Sequence, residues 1–181
     1  MLTRQTGGYA NSTYRTVRTN DGKNDIAYIH WCTGERELYN MKVRGAALSP
    51  LERYVADQRH MQTDSDQMHN LLSDWEQSKC ASNGLKNDEI ERIANRHNAL
   101  MLVLKTCVGD ECGSPWKYIF PNGEASSYQD ALSPRFDKYF ESLPLMEYES
   151  CETGYHARNE KPTWSSAMGY AGQSSRIKLA M

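Results

Sequence analysis

Five cysteines and five histidines are the side chains best suited to bind a metal or form a covalent link. Cys32, Cys80, Cys107, Cys112 and Cys151 contain no C-x-x-C pair, and His30, His60, His69, His97 and His156 offer neither H-x-H nor H-x-x-x-H. A zinc site needs four soft or imidazole ligands at close spacing, so this pattern argues against zinc. Cys107 and Cys112 flank Val108-Gly109-Asp110-Glu111, where a disulfide would close a small loop and two buried thiols beside a turn are the alternative. Asp64-x-Asp66 opens like a calcium loop, but the loop glycine is absent and Trp75 stands where the closing glutamate belongs. A turn with solvated acids is the reading there. His69 reads as a surface loop residue and His97, on an apolar helix face, as a satisfied core residue. Asn11-Ser12-Thr13 is a candidate N-glycosylation sequon, and no Ser/His/Asp arrangement has motif support.

The elements that must position these groups follow from periodicity. Thr13–Thr19 alternates polar and apolar residues and runs into Asn20-Asp21-Gly22-Lys23, a turn signal; Ile26–Trp31 and Glu37–Met41 supply further strand material, so a hairpin or meander is expected. Asn83-Gly84 predicts another turn. Asn87 is placed to cap a helix over about Asp88–Cys107, with Asp88, Glu89 and Glu91 near the positive end of its dipole and Gly109 as its stop. Ile90, Ile93, Ala94, His97, Leu100, Met101 and Leu104 recur at three- and four-residue steps and make one apolar face. Ser133-Pro134 predicts a short helix that turns Phe136, Tyr139 and Phe140 inwards and ends by Pro144. Met146–Tyr155 reads as extended. From Arg158 the pattern turns polar, which predicts a body over 1–157 and an irregular, mobile tail over 158–181. The fold class expected is α+β: a small antiparallel sheet with one long amphipathic helix packed on it, plus the short helix and the tail.

Composition bounds the function. With 39% hydrophobic and 24% charged residues the chain can build one modest core. The longest apolar run, Ala99–Leu104, is far too short to cross a bilayer, and the first residues lack the apolar stretch of a secretory signal. On that basis the chain as written reads as cytoplasmic. A net charge of −2 with both signs interspersed offers no basic face for nucleic acid.

The most specific text is WCTGERELYNMK, Trp31–Lys42, followed at Thr63–Leu72 by TDSDQMHNLL. Joined, they resemble the ELYDMxxDPxQxxNL signature near the carboxyl end of sulfatases, with Ser65 where most members have proline. Leu100–Glu124 is similar to a C-x4-C-x-x-PW-x-x-x-HP-x-G segment of the arylsulfatase branch common in fungi, with Phe120 at the histidine position; Ala131–Tyr155 resembles that branch's closing segment. The similarity runs over about Asn11–Tyr155, apart from Val43–Gln62, and implies the carboxyl-terminal subdomain of such an enzyme.

The resemblance implies hydrolysis of sulfate esters by a formylglycine made within a C-x-P-S-R type motif, with calcium held by aspartates and an asparagine. That machinery belongs to the large amino-terminal domain, so this chain is expected to contain no catalytic, cofactor-binding or metal residue and to hydrolyse nothing alone. Its implied partner is the missing catalytic domain. Cys32-Thr33-Gly34-Glu35-Arg36 imitates the C-x-P-S-R spacing, but its third position is glycine and no helix pattern follows, so Cys32 reads as structural. Intact relatives are expected in the secretory pathway. Competing readings are a non-catalytic binding module that pairs with a separate sulfatase domain, and a small disulfide-bearing secreted protein. Val43–Gln62 reads either as a surface insertion, which loops tolerate, or as a translated in-frame intron. Val43-Arg44 is encodable by the donor GTAAGA, Ala56-Asp57 by the branch-like GCTGAC and Gln62 by the acceptor CAG.

Overall fold

A computed structural model describes residues 13–22, 24–41, 70–73, 87–153 and 156–170. Three strands form an antiparallel meander: β1 (Tyr14–Asn20), β2 (Asp25–Trp31) and β3 (Arg36–Asn40), with β2 central. The expected turn between β1 and β2 is present. Asp21 N–H donates to Asn24 O at 3.1 Å, the Asp21 carboxylate accepts from Asn24 N–H at 2.6 Å, and Gly22 takes φ 79°. Only glycine adopts that angle without strain. Strand β2 is buried on both faces, and because side chains alternate across a strand, its residues divide between two clusters. Ile26 and Tyr28 join Val17 and Leu38 in the main core, whereas Ala27 and Ile29 pack with Tyr39 beside half-buried Trp31 and Met41.

The long helix α1 spans Asn87–Leu104 and lies against β1 and β2. Away from the sheet it contacts α2 (Pro115–Ile119) and α4 (Asp137–Ser142), the latter preceded by α3 (Tyr128–Ala131) and a 3-10 turn at Pro134–Phe136. The helix is therefore sandwiched, and not packed on the sheet alone. That is why Ala99, Leu102 and Val103, outside the expected apolar face, are as buried as Ile90, Ala94 and Met101. It ends at Leu104, ahead of Gly109, because the Thr106 hydroxyl donates to the carbonyls of Leu102 at 3.2 Å and Val103 at 3.1 Å and closes the last turn.

Three polar side chains of α1, those of Arg96, His97 and Asn98, are enclosed. Arg96, 0% exposed, donates to the carbonyls of Ala131 (2.9 Å), Arg92 (3.3 Å) and Ser133 (3.2 Å) and to the Asp137 carboxylate (2.7 Å), with its guanidinium 4.4 Å from the Phe140 ring centroid. Arg92 holds the same carboxylate through Nε at 2.9 Å and Nη2 at 2.9 Å. Asn98 donates to Pro144 O at 2.9 Å and accepts from Met146 N–H at 3.0 Å. Together they fasten α1 to the loops on either side of α4.

As expected, Phe136, Tyr139 and Phe140 face inwards. Phe120 stands among them, its ring centroid 4.7 Å from Phe136, 5.9 Å from Phe140 and 5.5 Å from Tyr170. Two expectations need correction. Among the described residues of Met146–Tyr155, only Glu147–Tyr148, β4, forms a strand. An irregular tail does not begin at Arg158: β5 (Glu160–Lys161) pairs with β4, Trp164, Met168 and Tyr170 pack on the core, and the Tyr139 hydroxyl donates to Met168 O at 2.9 Å. Isolated aromatics without periodicity leave no pattern to read, yet they bury enough area to anchor the segment. Residues 171–181 lie outside the described residues, as do Asn11, His60, His69, Cys80, the Asn83-Gly84 turn and Val43–Gln62.

Candidate functional site

The turn from β2 to β3 carries the cysteine and arginine whose spacing imitates a modified pentapeptide. Trp31 N–H donates to Glu35 O at 2.9 Å, Gly34 N–H donates to Trp31 O at 2.9 Å, and Gly34 takes φ 87°. Cys32 is bonded to Cys151, 119 residues away, and its N–H donates to Thr13 O at 2.8 Å. A cysteine tied into a hairpin turn and oxidised presents no thiolate. Arg36 instead reaches the Glu91 carboxylate on α1 at 3.7 Å. Cys107 is bonded to Cys112 around a short 3-10 turn, Gly109–Gly113, with Gly109 at φ 62°.

The outer edge of β3 is where the two separated pieces of the signature meet. Asn70 Oδ1 accepts from the backbone N–H of Leu38 and of Leu72, each at 3.0 Å, while Nδ2 donates to Arg36 O at 3.1 Å. Leu71 N–H then donates to Leu38 O at 2.9 Å and its side chain enters the main core. One asparagine amide thus replaces a missing neighbouring strand, using both its donor and its acceptor. We expect Asn70→Ala to destabilise the chain by about 2–3 kcal/mol, since it orphans a carbonyl and two N–H groups at once; thermal unfolding followed by circular dichroism would measure it.

Two buried histidines complete the inner face. His97 is wholly enclosed, with Nδ1 2.9 Å from Ile93 O and Nε2 2.9 Å from the Thr19 hydroxyl. The carbonyl can only accept, so Nδ1 carries the proton and the hydroxyl donates to Nε2. Burial lowers the His97 pKa to about 4 against the opposing hydrogen bond to Ile93. His30 is likewise lowered to about 4, by burial and then by Arg36. Both folded values lie below the unfolded value, so the unfolded chain binds more protons between pH 6.5 and about 4. Stability is complete above that window and is lost as pH falls through it, at about 1.4 kcal/mol per pH unit for each ring. Urea unfolding at pH 7.5, 6 and 5 should show the decline, and His97→Gln should roughly halve its slope. Lys105 Nζ is buried with no hydrogen-bond partner among the described residues, and burial lowers its pKa to about 8, with Glu160 opposing and Arg15 assisting.

The comparisons with known proteins agree with the signature. The chain is 28% identical over 165 residues to the sulfatase ppz1 of Metarhizium majus, covering 91% of this chain and 31% of that protein. It is 26% identical to an arylsulfatase of Volvox carteri, covering 88% of this chain and 20% of the relative, and 25% identical to one of Chlamydomonas reinhardtii, covering 78% and 17%. The chain is similar to proteins named sulfatase and arylsulfatase. It spans less than a third of the length of these curated relatives. No family model and no solved structure matches it.

The residue that departs from the arylsulfatase pattern, Phe120, is 1% exposed at the centre of the aromatic cluster, so an apolar ring is what the site accommodates. Calcium requires six or more oxygen ligands. Among the described residues no three His, Cys, Asp or Glu side chains converge, so the described residues do not fit that ion; Asp64 and Asp66 lie outside them. No described helix is long and apolar enough to cross a membrane. If Val43–Gln62 is dispensable to the fold, as both readings of the segment require, joining Lys42 directly to Thr63 should leave stability within about 1 kcal/mol. A deletion variant compared in urea would check it.

Proposed function

We propose that this chain serves as the carboxyl-terminal, non-catalytic subdomain of an arylsulfatase, completing a separate catalytic portion. The carrying observation is the signature itself: its residues form a sheet edge, with Asn70 pairing to β3 and Cys32 locked to Cys151, and leave no free nucleophile in that turn. The match to less than a third of each arylsulfatase supports the same reading. Two disulfides favour an oxidising compartment over the cytoplasmic reading of the sequence. The purified chain should not turn over an aryl sulfate in calcium buffer, and turnover above blank would refute the proposal. Co-purification with an arylsulfatase catalytic portion produced as a separate chain is the positive arm.

A further inference from the structure

A cleft of about 490 Å³ opens between the end of α1, the Cys107–Cys112 loop, α2 and residues 163–166, on a part of the molecule that the signature does not touch. Its size falls in the range of small-molecule sites, and its walls are mainly apolar. Trp164 and Tyr118 contribute aromatic surface, Thr163 and Ser165 contribute hydroxyls, and Glu111 and Lys117 contribute one charge of each sign. The Trp164 ring packs on the core, yet its indole Nε1 is buried and donates to nothing among the described residues. A resonance from that N–H therefore reports on the cleft wall from beneath, through the ring that lines it. Glu111 is held at the rim by the short disulfide loop, its carboxylate accepting from Val108 N–H at 3.4 Å, with the Tyr118 hydroxyl beside it.

We propose that this cleft binds a pyranose unit of an oligosaccharide, its apolar face on the Trp164 and Tyr118 rings and its hydroxyls on the Glu111 and Lys117 rim. A sugar hydroxyl both donates and accepts, which suits a rim holding a carboxylate, an ammonium and two side-chain hydroxyls. An aryl ligand would use the rings and leave that rim unsatisfied. The site rests on geometry independent of the sulfatase reading, and it would give a non-catalytic subdomain a direct grip on a carbohydrate.

The test is a titration of the ¹⁵N-labelled full chain, disulfides intact, following the indole N–H resonances with cello-oligosaccharides, sulfated galactan oligosaccharides and phenol as separate ligands. The Trp164 signal is assigned by its loss in Trp164→Phe. A saturable shift of that signal with either saccharide, weakened at least about fivefold in Glu111→Gln, is the expected result. Glu111 is exposed, so that variant keeps the fold. Response to phenol alone, no response to any ligand, or saccharide binding unchanged in Glu111→Gln would each overturn the proposal. The two saccharides distinguish a neutral from a sulfated ligand, and neither outcome depends on catalytic activity.

Discussion

Replacing Asp137 by alanine should cost about 3–5 kcal/mol, far more than the loss of an exposed ion pair. Its carboxylate receives Nη2 of Arg96 at 2.7 Å and two groups of Arg92, and Arg96 has no solvent access to fall back on. Burial pushes the Asp137 carboxyl up, but the hydrogen bonds from Arg92 and Arg96 outweigh it, and the net pKa is lowered. Without the carboxylate, a buried guanidinium faces carbonyl dipoles and the Phe140 ring, with no counter-charge. Arg92→Ala should be milder, because Arg92 is half-buried and Asp137 keeps its bond to Arg96. Urea unfolding monitored by tryptophan fluorescence gives both values; a loss under about 1.5 kcal/mol for Asp137→Ala would place the pair among ordinary surface contacts.

Removing the Cys32–Cys151 bond with paired serines should be of similar size, about 4–5 kcal/mol, from the chain entropy restored to the unfolded state. The bond closes a loop of 119 residues, whereas Cys107–Cys112 closes one of only five, for which the same reasoning gives about 2 kcal/mol. Paired-serine variants at each bridge, compared by thermal unfolding, should preserve that order. Local geometry reinforces the long bridge. Beside Cys151, Ser150 is clasped by Asn159, which accepts from Ser150 N–H at 2.8 Å and donates to Ser150 O at 2.6 Å, while the Thr13 hydroxyl donates to Glu152 O.

The elements most legible in the sequence are those fixed by local chemistry. Three- and four-residue spacing located α1, alternation located β1, apolar strand-forming runs after it located β2 and β3, and Asn20-Asp21-Gly22 located the first turn. Ser133-Pro134 located the start of the aromatic helix. What escaped depends on residues distant in the chain. Arg96 and Asn98 look like solvent-facing positions until the second layer of short helices covers them, and no periodicity announces that Trp164 and Tyr170 will return to the core. At the candidate site the text of the signature was readable, but its physical use was not. Asn70 is a polar letter in a motif; its two bonds to the backbone of β3 exist only because that strand lies at the sheet's edge.

That edge has a bearing on self-assembly. A strand rim with unsatisfied peptide groups invites a second chain to zip onto it, and proteins that must stay apart disguise such rims. The Asn70 amide and the Leu71 N–H act as that disguise over Arg36 and Leu38, occupying hydrogen-bonding sites a foreign strand would seize. Any rearrangement that pulled residues 70–73 away would unmask a template for aggregation.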